Sequence, residues 1–180
     1  MKYCFYLLFF GVMLSQVSCS NNQQKSSSAT QTSAKKQLDT ADAHLATDLS
    51  VFFTSQVQAA KLIETKSTNK KVTDLASQNE QLYTQLSTRL NTLSDEYTIV
   101  LPAKPADQAG KNLVALRVAK LSLLDHAYLL QMLKDHNVII REINAAKNTQ
   151  CVPLKAFVLS NQADIIKQAY ALSALKDETP

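Results

Sequence analysis

The chain contains no tryptophan, two glycines and four prolines in 180 residues. That scarcity excludes a sandwich or barrel of many short strands, because tight hairpins draw on glycine and proline. No alternation of apolar and polar residues runs long enough to make a half-buried strand. Three cysteines, Cys4, Cys19 and Cys151, are too few for a disulfide framework, and the first two lie at the N-terminal leader. Cys151 is left alone in the body as an expected small buried residue, so stability must come from an apolar core. Neither sign of charge dominates: from Asp42 onward, 15 basic residues face 14 acidic ones. A near-neutral body offers no basic stripe for nucleic acid and no strong steering field. P-loop, nucleophile-elbow and zinc-helix motifs are absent from the sequence, as is any Glu-x-x-His pair.

What is present begins at the N-terminus. Lys2 precedes an apolar stretch from Phe5 to Leu14, about half of the roughly 20 residues that a membrane-spanning helix needs. Such a stretch suits the core of a cleaved leader. Val17 and Ser18 then lead into Cys19, an arrangement that resembles the cleavage box of bacterial lipoproteins, although Gln16 stands where that box has a large aliphatic residue. Residues 1–18 are therefore expected to be a lipoprotein signal peptide, with Cys19 as the lipid attachment site. Ordinary secretion, with Cys19 left as a free thiol, is the alternative. A single acyl chain binds a bilayer only marginally, whereas two or more, palmitate among them, hold stably. Ser20 rather than aspartate follows the cysteine, and no acidic cluster comes after it, which together suit the periplasmic face of the outer membrane. The polar run Ser20–Gln37 cannot bury enough apolar surface to fold. Residues 19–41 are accordingly expected to be a flexible tether, in which the run Ser20–Gln37 has a coil span of about 25 Å.

Abundant Ala, Leu, Lys and Gln make the body, residues 42–176, helical. Leu45, Leu49, Phe52, Phe53, Ala60 and Ile63 form one apolar face over 42–66. Thr68 or Asn69 caps a second helix with the stripe Val72, Leu75, Leu82, Leu86, Leu90 and Leu93. The stretch from Tyr97 to Pro105 breaks the pattern and serves as a crossover, and a short helix occupies 107–120. Ser122-Leu123-Leu124-Asp125 reads as a capping box opening a third long helix, with Leu124, Tyr128, Met132, Ile139 and Ile143 on its apolar face. Asn148 ends that helix, and Pro153 suits the first turn of the last one. This pattern predicts an all-α, ferritin-like up-and-down four-helix bundle, with an extra short helix before the third long helix.

Chemistry in such a bundle comes from polar side chains that point inward. Helical periodicity places Gln56, Asn79 and His136 in the apolar stripes, with Asn161 and Gln168 bordering the last. Asp125 shares the face of His136 but lies eleven residues away, about 16 Å at 1.5 Å per residue, too far to share a metal ion. His44 lies at the start of the first helix, and His126 is expected to point away from the core. His136 is expected to be satisfied by a facing Gln, Asn or Tyr. Sequence neighbours on a helix face different ways, so Asp135 with His136 and Asp125 with His126 make no dyads.

The segment Leu124-Asp125-His126-Ala127-Tyr128-Leu129-Leu130-Gln131-Met132-Leu133-Lys134-Asp135-His136 resembles the Phe-Asp-x-x-Tyr-x-x-x-Met-x-x-Asp-His signature of the bacterial domain of unknown function 4142, described as predicted outer-membrane proteins. The resemblance implies a ferritin-like bundle with no established activity. It also implies that the family's first-helix glutamate falls at Gln56, its second-helix Asp-His at Leu82-Tyr83 and its last-helix histidine at Gln168. Only Asp135 and His136 then remain as candidate metal ligands. The expectation is a non-enzymatic, lipid-anchored protein with no catalytic residue, cofactor or bound metal. It would touch the membrane through the lipid on Cys19, meet an envelope protein partner, and bind no nucleic acid. Two alternatives stand beside it: a degenerate ferritin-like metal-binding or stress-response protein, and a carrier of small hydrophobic ligands.

Overall fold

The computed structural model describes residues 36–97, 99, 101–102 and 107–179. The expected leader, Cys19 and the expected tether as far as residue 35 lie outside the described residues. Five α-helices follow in chain order: α1 Thr40–Lys66, α2 Lys70–Asp95, α3 Asp107–Val118, α4 Leu121–Ala145 and α5 Val152–Glu178, with a 3-10 turn at Ala146–Asn148. Among the described residues the one extended pairing is a bridge between Lys36 and Tyr97.

Local chemistry sets most of these boundaries. Asp39 caps α1 by accepting from the amide of Asp42 at 2.8 Å, so the helix takes in Thr40 and Ala41 as well. Leu38 packs on the core and Lys36 pairs at the end of α2, which draws the last residues of the expected tether onto the bundle. Asn69 caps α2 through the amide of Lys71. The capping box expected at Ser122 is not formed. The helix starts at Leu121, Lys120 holds the cap position with no side-chain bond, and Ser122 is an exposed first-turn residue. At α5, Pro153 lies in the first turn, and the carboxylate of Asp42 accepts from the amide of Cys151 at 2.7 Å. A negative side chain there meets both an unpaired amide and the positive end of the helix dipole.

Cross-helix contacts give the helix directions. Lys61 meets Glu80, Arg89 meets Asn161, and Lys71 meets Glu178, so α1 and α5 both run antiparallel to α2. Asn79 meets Tyr128 and Tyr83 meets His136, so α2 and α4 run parallel across the bundle. Neighbouring long helices are therefore antiparallel, the up-and-down arrangement. Along the chain the directions run up, down, down, up, and the α2–α4 crossover carrying α3 makes that order feasible. Among the described residues no helix is long and apolar enough to cross a membrane.

Candidate functional site

The core divides into two apolar clusters. One gathers Leu49, Phe52, Phe53, Tyr83, Leu86, Ile139, Phe157 and Ile165; the other gathers Ala60, Ile63, Val72, Leu124, Tyr128, Met132 and Leu172. On every long helix a polar residue falls at the boundary: Gln56 on α1, Asn79 on α2, His136 on α4 and Gln168 on α5. Gln56, Asn79 and His136 are fully buried. The Arg89–Asn161 and Lys71–Glu178 contacts bracket Gln168 and bring it opposite Leu82 on α2, the same level. The structure thus collects four of the inward polar residues expected from periodicity into one layer. Asn161 lies beyond it, with its Oδ1 accepting from Arg89 at 2.8 Å. Asp125 also lies outside the layer, half-buried, and its Oδ1 has no hydrogen-bond partner among the described residues.

His136 is held at both ring nitrogens. The carbonyl of Met132 lies 2.8 Å from Nδ1, and a carbonyl only accepts, so Nδ1 carries the proton. Nε2 is then the acceptor for the Tyr83 hydroxyl at 2.5 Å. Burial pushes the imidazole pKa down to about 4, against the opposing pull of the Met132 carbonyl. Burial likewise holds the Tyr83 hydroxyl well above its usual range, with Tyr128 adding to it. Tyr128 is raised as well, and accepts from Asn79 Nδ2 at 3.3 Å. The layer is otherwise short of partners: both amide atoms of Gln56, Oδ1 of Asn79 and Oε1 of Gln168 make no hydrogen bond among the described residues.

Asp135 takes the other side of the helix wall. It lines a groove of about 420 Å³ between α1, α3 and α4, together with Asp48, Phe52, Gln131, Lys134 and Glu142 among others. Burial raises its carboxyl to about 6, while a hydrogen bond from Gln131 and the charge of Lys134 oppose the rise. Gln131 Nε2 donates to Asp135 Oδ1 at 2.8 Å. Phe52 separates the two environments: its side chain lines the groove, and its ring stands edge-on to His136 with centroids 5.2 Å apart.

The other histidines take no part. His44 is exposed. His126, expected to point away from the core, is half-buried, and its Nδ1 donates to the carbonyl of Thr179 at 3.0 Å. The end of α5 folds back over it, which no local pattern around His126 could announce. Cys151 is buried and pairs with no cysteine among the described residues, and its thiol beside Tyr97, together with burial, raises the tyrosine to about 12.

Residues 27–175 match the family defined as a domain of unknown function, DUF4142. The chain belongs to the DUF4142 family. The match begins within the stretch assigned to the tether and runs almost to the end of α5. No curated protein matches the chain. A crystal structure of a DUF305 fragment from Deinococcus radiodurans is similar in fold, with a TM-score of 0.70 at 6% identity over 79% of this chain and 99% of that one. At that identity the likeness speaks for the helical fold alone.

The metal site that a ferritin-like bundle implies can be tested on this member's donors. Both nitrogens of His136 are committed, Asp135 faces the groove, and the layer's remaining donors are neutral amides. Among the described residues no three His, Cys, Asp or Glu side chains converge on one point. The residues at Gln56, Tyr83, His136 and Gln168 do not fit a carboxylate-and-histidine metal centre. They form a neutral polar layer instead, in which Tyr83 and His136 are hydrogen-bonded.

Proposed function

We propose that this DUF4142 member is a non-enzymatic binding protein of the cell envelope, held at the outer membrane by acyl chains on Cys19. The groove between α1, α3 and α4 carries the binding reading. Its volume lies within the roughly 300–1,000 Å³ of small-molecule sites, and its lining combines an apolar floor with a few polar groups. A sealed, neutral His136 with both nitrogens engaged supports a structural rather than a catalytic role. The hydrophobic-carrier alternative draws on the same groove, with its ligand at the surface rather than among the inward Phe and Leu side chains.

Native mass spectrometry of the purified chain tests binding: a co-purified organic ligand is expected. A stoichiometric iron, zinc or manganese ion without any organic ligand would favour the metal-protein reading instead. The anchor has its own test. Cys19→Ser should move the protein from the membrane fraction to the soluble periplasmic fraction, and unchanged fractionation would refute lipid attachment.

A further inference from the structure

We propose that the groove between α1, α3 and α4 binds a linear aliphatic polyamine. This rests on reading the protein as a binding protein and names the ligand class. Among the described residues three carboxylates, Asp48, Asp135 and Glu142, line the groove against one cation, Lys134. They are not gathered at one point. Asp135 and Glu142 lie seven residues apart on α4, which brings them onto one face and separates them by about 10 Å along the axis. Because α1 runs antiparallel to α4, Asp48 lies toward the Glu142 end, where both also line a neighbouring depression with Asp42. The groove therefore carries two acidic poles about two helical turns apart, Asp48 with Glu142 at one end and Asp135 farther along, with Gln131 and Lys134 beyond it.

Between the poles the floor is apolar, with Phe52 and Ile139 at its base. A chain of methylenes covers such a floor and gains from losing contact with water, while ammonium groups at its ends meet the carboxylates. From α3 the groove receives Gln108 and Asn112, whose amide oxygens accept from ammonium hydrogens and bring no charge. A compact metal ion does not suit this layout, since it needs converging oxygens and no three acidic, histidine or cysteine side chains converge among the described residues. A neutral apolar ligand would use the floor and leave both poles unanswered.

Protonation should tune the site. Among the described residues the titratable or charged groups lining the groove are Asp48 from α1 and Lys134, Asp135 and Glu142 from α4. A cation binds the deprotonated form of Asp135, whose carboxyl titrates at about 6, so affinity should fall as pH drops from 7.5 to 5.

Isothermal titration of spermidine into the Cys19→Ser chain tests the proposal. One saturable site is expected at pH 7.5. Binding should weaken at least tenfold at pH 5, in Asp135→Asn and in the exposed variant Glu142→Gln, with circular dichroism confirming that each variant is folded. Hexylamine, which reaches one pole, should bind at least tenfold more weakly. Glu80→Gln, on the α1–α2 surface, should change nothing. Absence of saturable binding, or an equal loss in Glu80→Gln and Asp135→Asn, overturns the proposal. Titration with neutral n-octanol separates the two levels of inference. If octanol binds and spermidine does not, the binding reading stands and the polyamine assignment falls; if neither binds, both fall.

Discussion

Asp135 and His136 are sequence neighbours in opposite surroundings. The imidazole faces a closed layer where one hydroxyl and one carbonyl account for both its nitrogens, and it titrates far below its usual range. The carboxyl faces an open groove with other carboxylates along its length, and it titrates above its usual range. Burial drives both shifts, and it disfavours the charged form in each case. The neighbours differ in accessibility: the core holds a neutral group in place, whereas the groove holds an acid that solvent and ligands can reach. A helix accomplishes this with one residue of rotation, about 100°.

Removing the wall between them should have the largest effect. Phe52→Ala deletes the ring that lines the groove and touches His136, so it should destabilise by about 3–5 kcal/mol in denaturant unfolding. It should also hydrate His136 and move its pKa back toward 6.5.

Acid comes next. As pH falls through 6.5, the unfolded chain takes a proton on His136, while the fold refuses it until about 4. Stability from this group therefore declines across that window, by about 3 kcal/mol in full. Asp135 acts in the opposite sense. Its carboxyl is raised from 3.8 to about 6, so the fold binds that proton first and gains stability as pH falls between those values. Partial exposure makes that gain the smaller of the two. Asp135→Asn removes it, and unfolding measured from pH 7 to 4 should show a steeper loss than in the native sequence.

Tyr83→Phe leaves Nε2 of His136 buried without a donor and should cost about 2 kcal/mol by chemical denaturation. Gln56→Met should do the reverse. The amide of Gln56 is buried with neither atom paired, and a thioether of similar length removes that burden, for a gain of about 1 kcal/mol. The smallest effect belongs to the surface. Breaking the Lys61–Glu80 pair at 3.4 Å, with the lysine side chain 60% exposed, should change stability by less than about 0.5 kcal/mol.

Much of the fold is legible in the sequence because long helices repeat their apolar positions. Every residue assigned to the apolar face of α4 (Leu124, Tyr128, Met132, Ile139 and Ile143) is buried. Errors arise where side chains do not follow hydrophobicity. On α2 the stripe runs through Leu82 and Leu93, yet those two leucines are only half-buried, whereas Tyr83, outside the stripe, is fully buried. The spacing 72, 75, 76, 79, 83, 86, 90 was the signal available for Tyr83. The capping box failed because Lys120 already holds the cap position, which puts Ser122 two residues too late for its side chain to cap the free amides. Gln56, Asn79, His136 and Gln168 were each legible as inward polar residues, but their meeting in one layer depends on helix register. The groove was not legible at all. Asp135 matters there because α3 packs beside α1 and α4, and no pattern on α4 states where α3 lies.

The contrast across the α4 wall is tested most directly by one NMR titration of the Cys19→Ser chain, following the His136 ring and the Asp135 carboxyl in the same sample. The account predicts an imidazole that stays neutral, protonated at Nδ1, down to about pH 4, beside a carboxyl with its midpoint near 6. A His136 that titrates near 6.5 in the folded protein would contradict it.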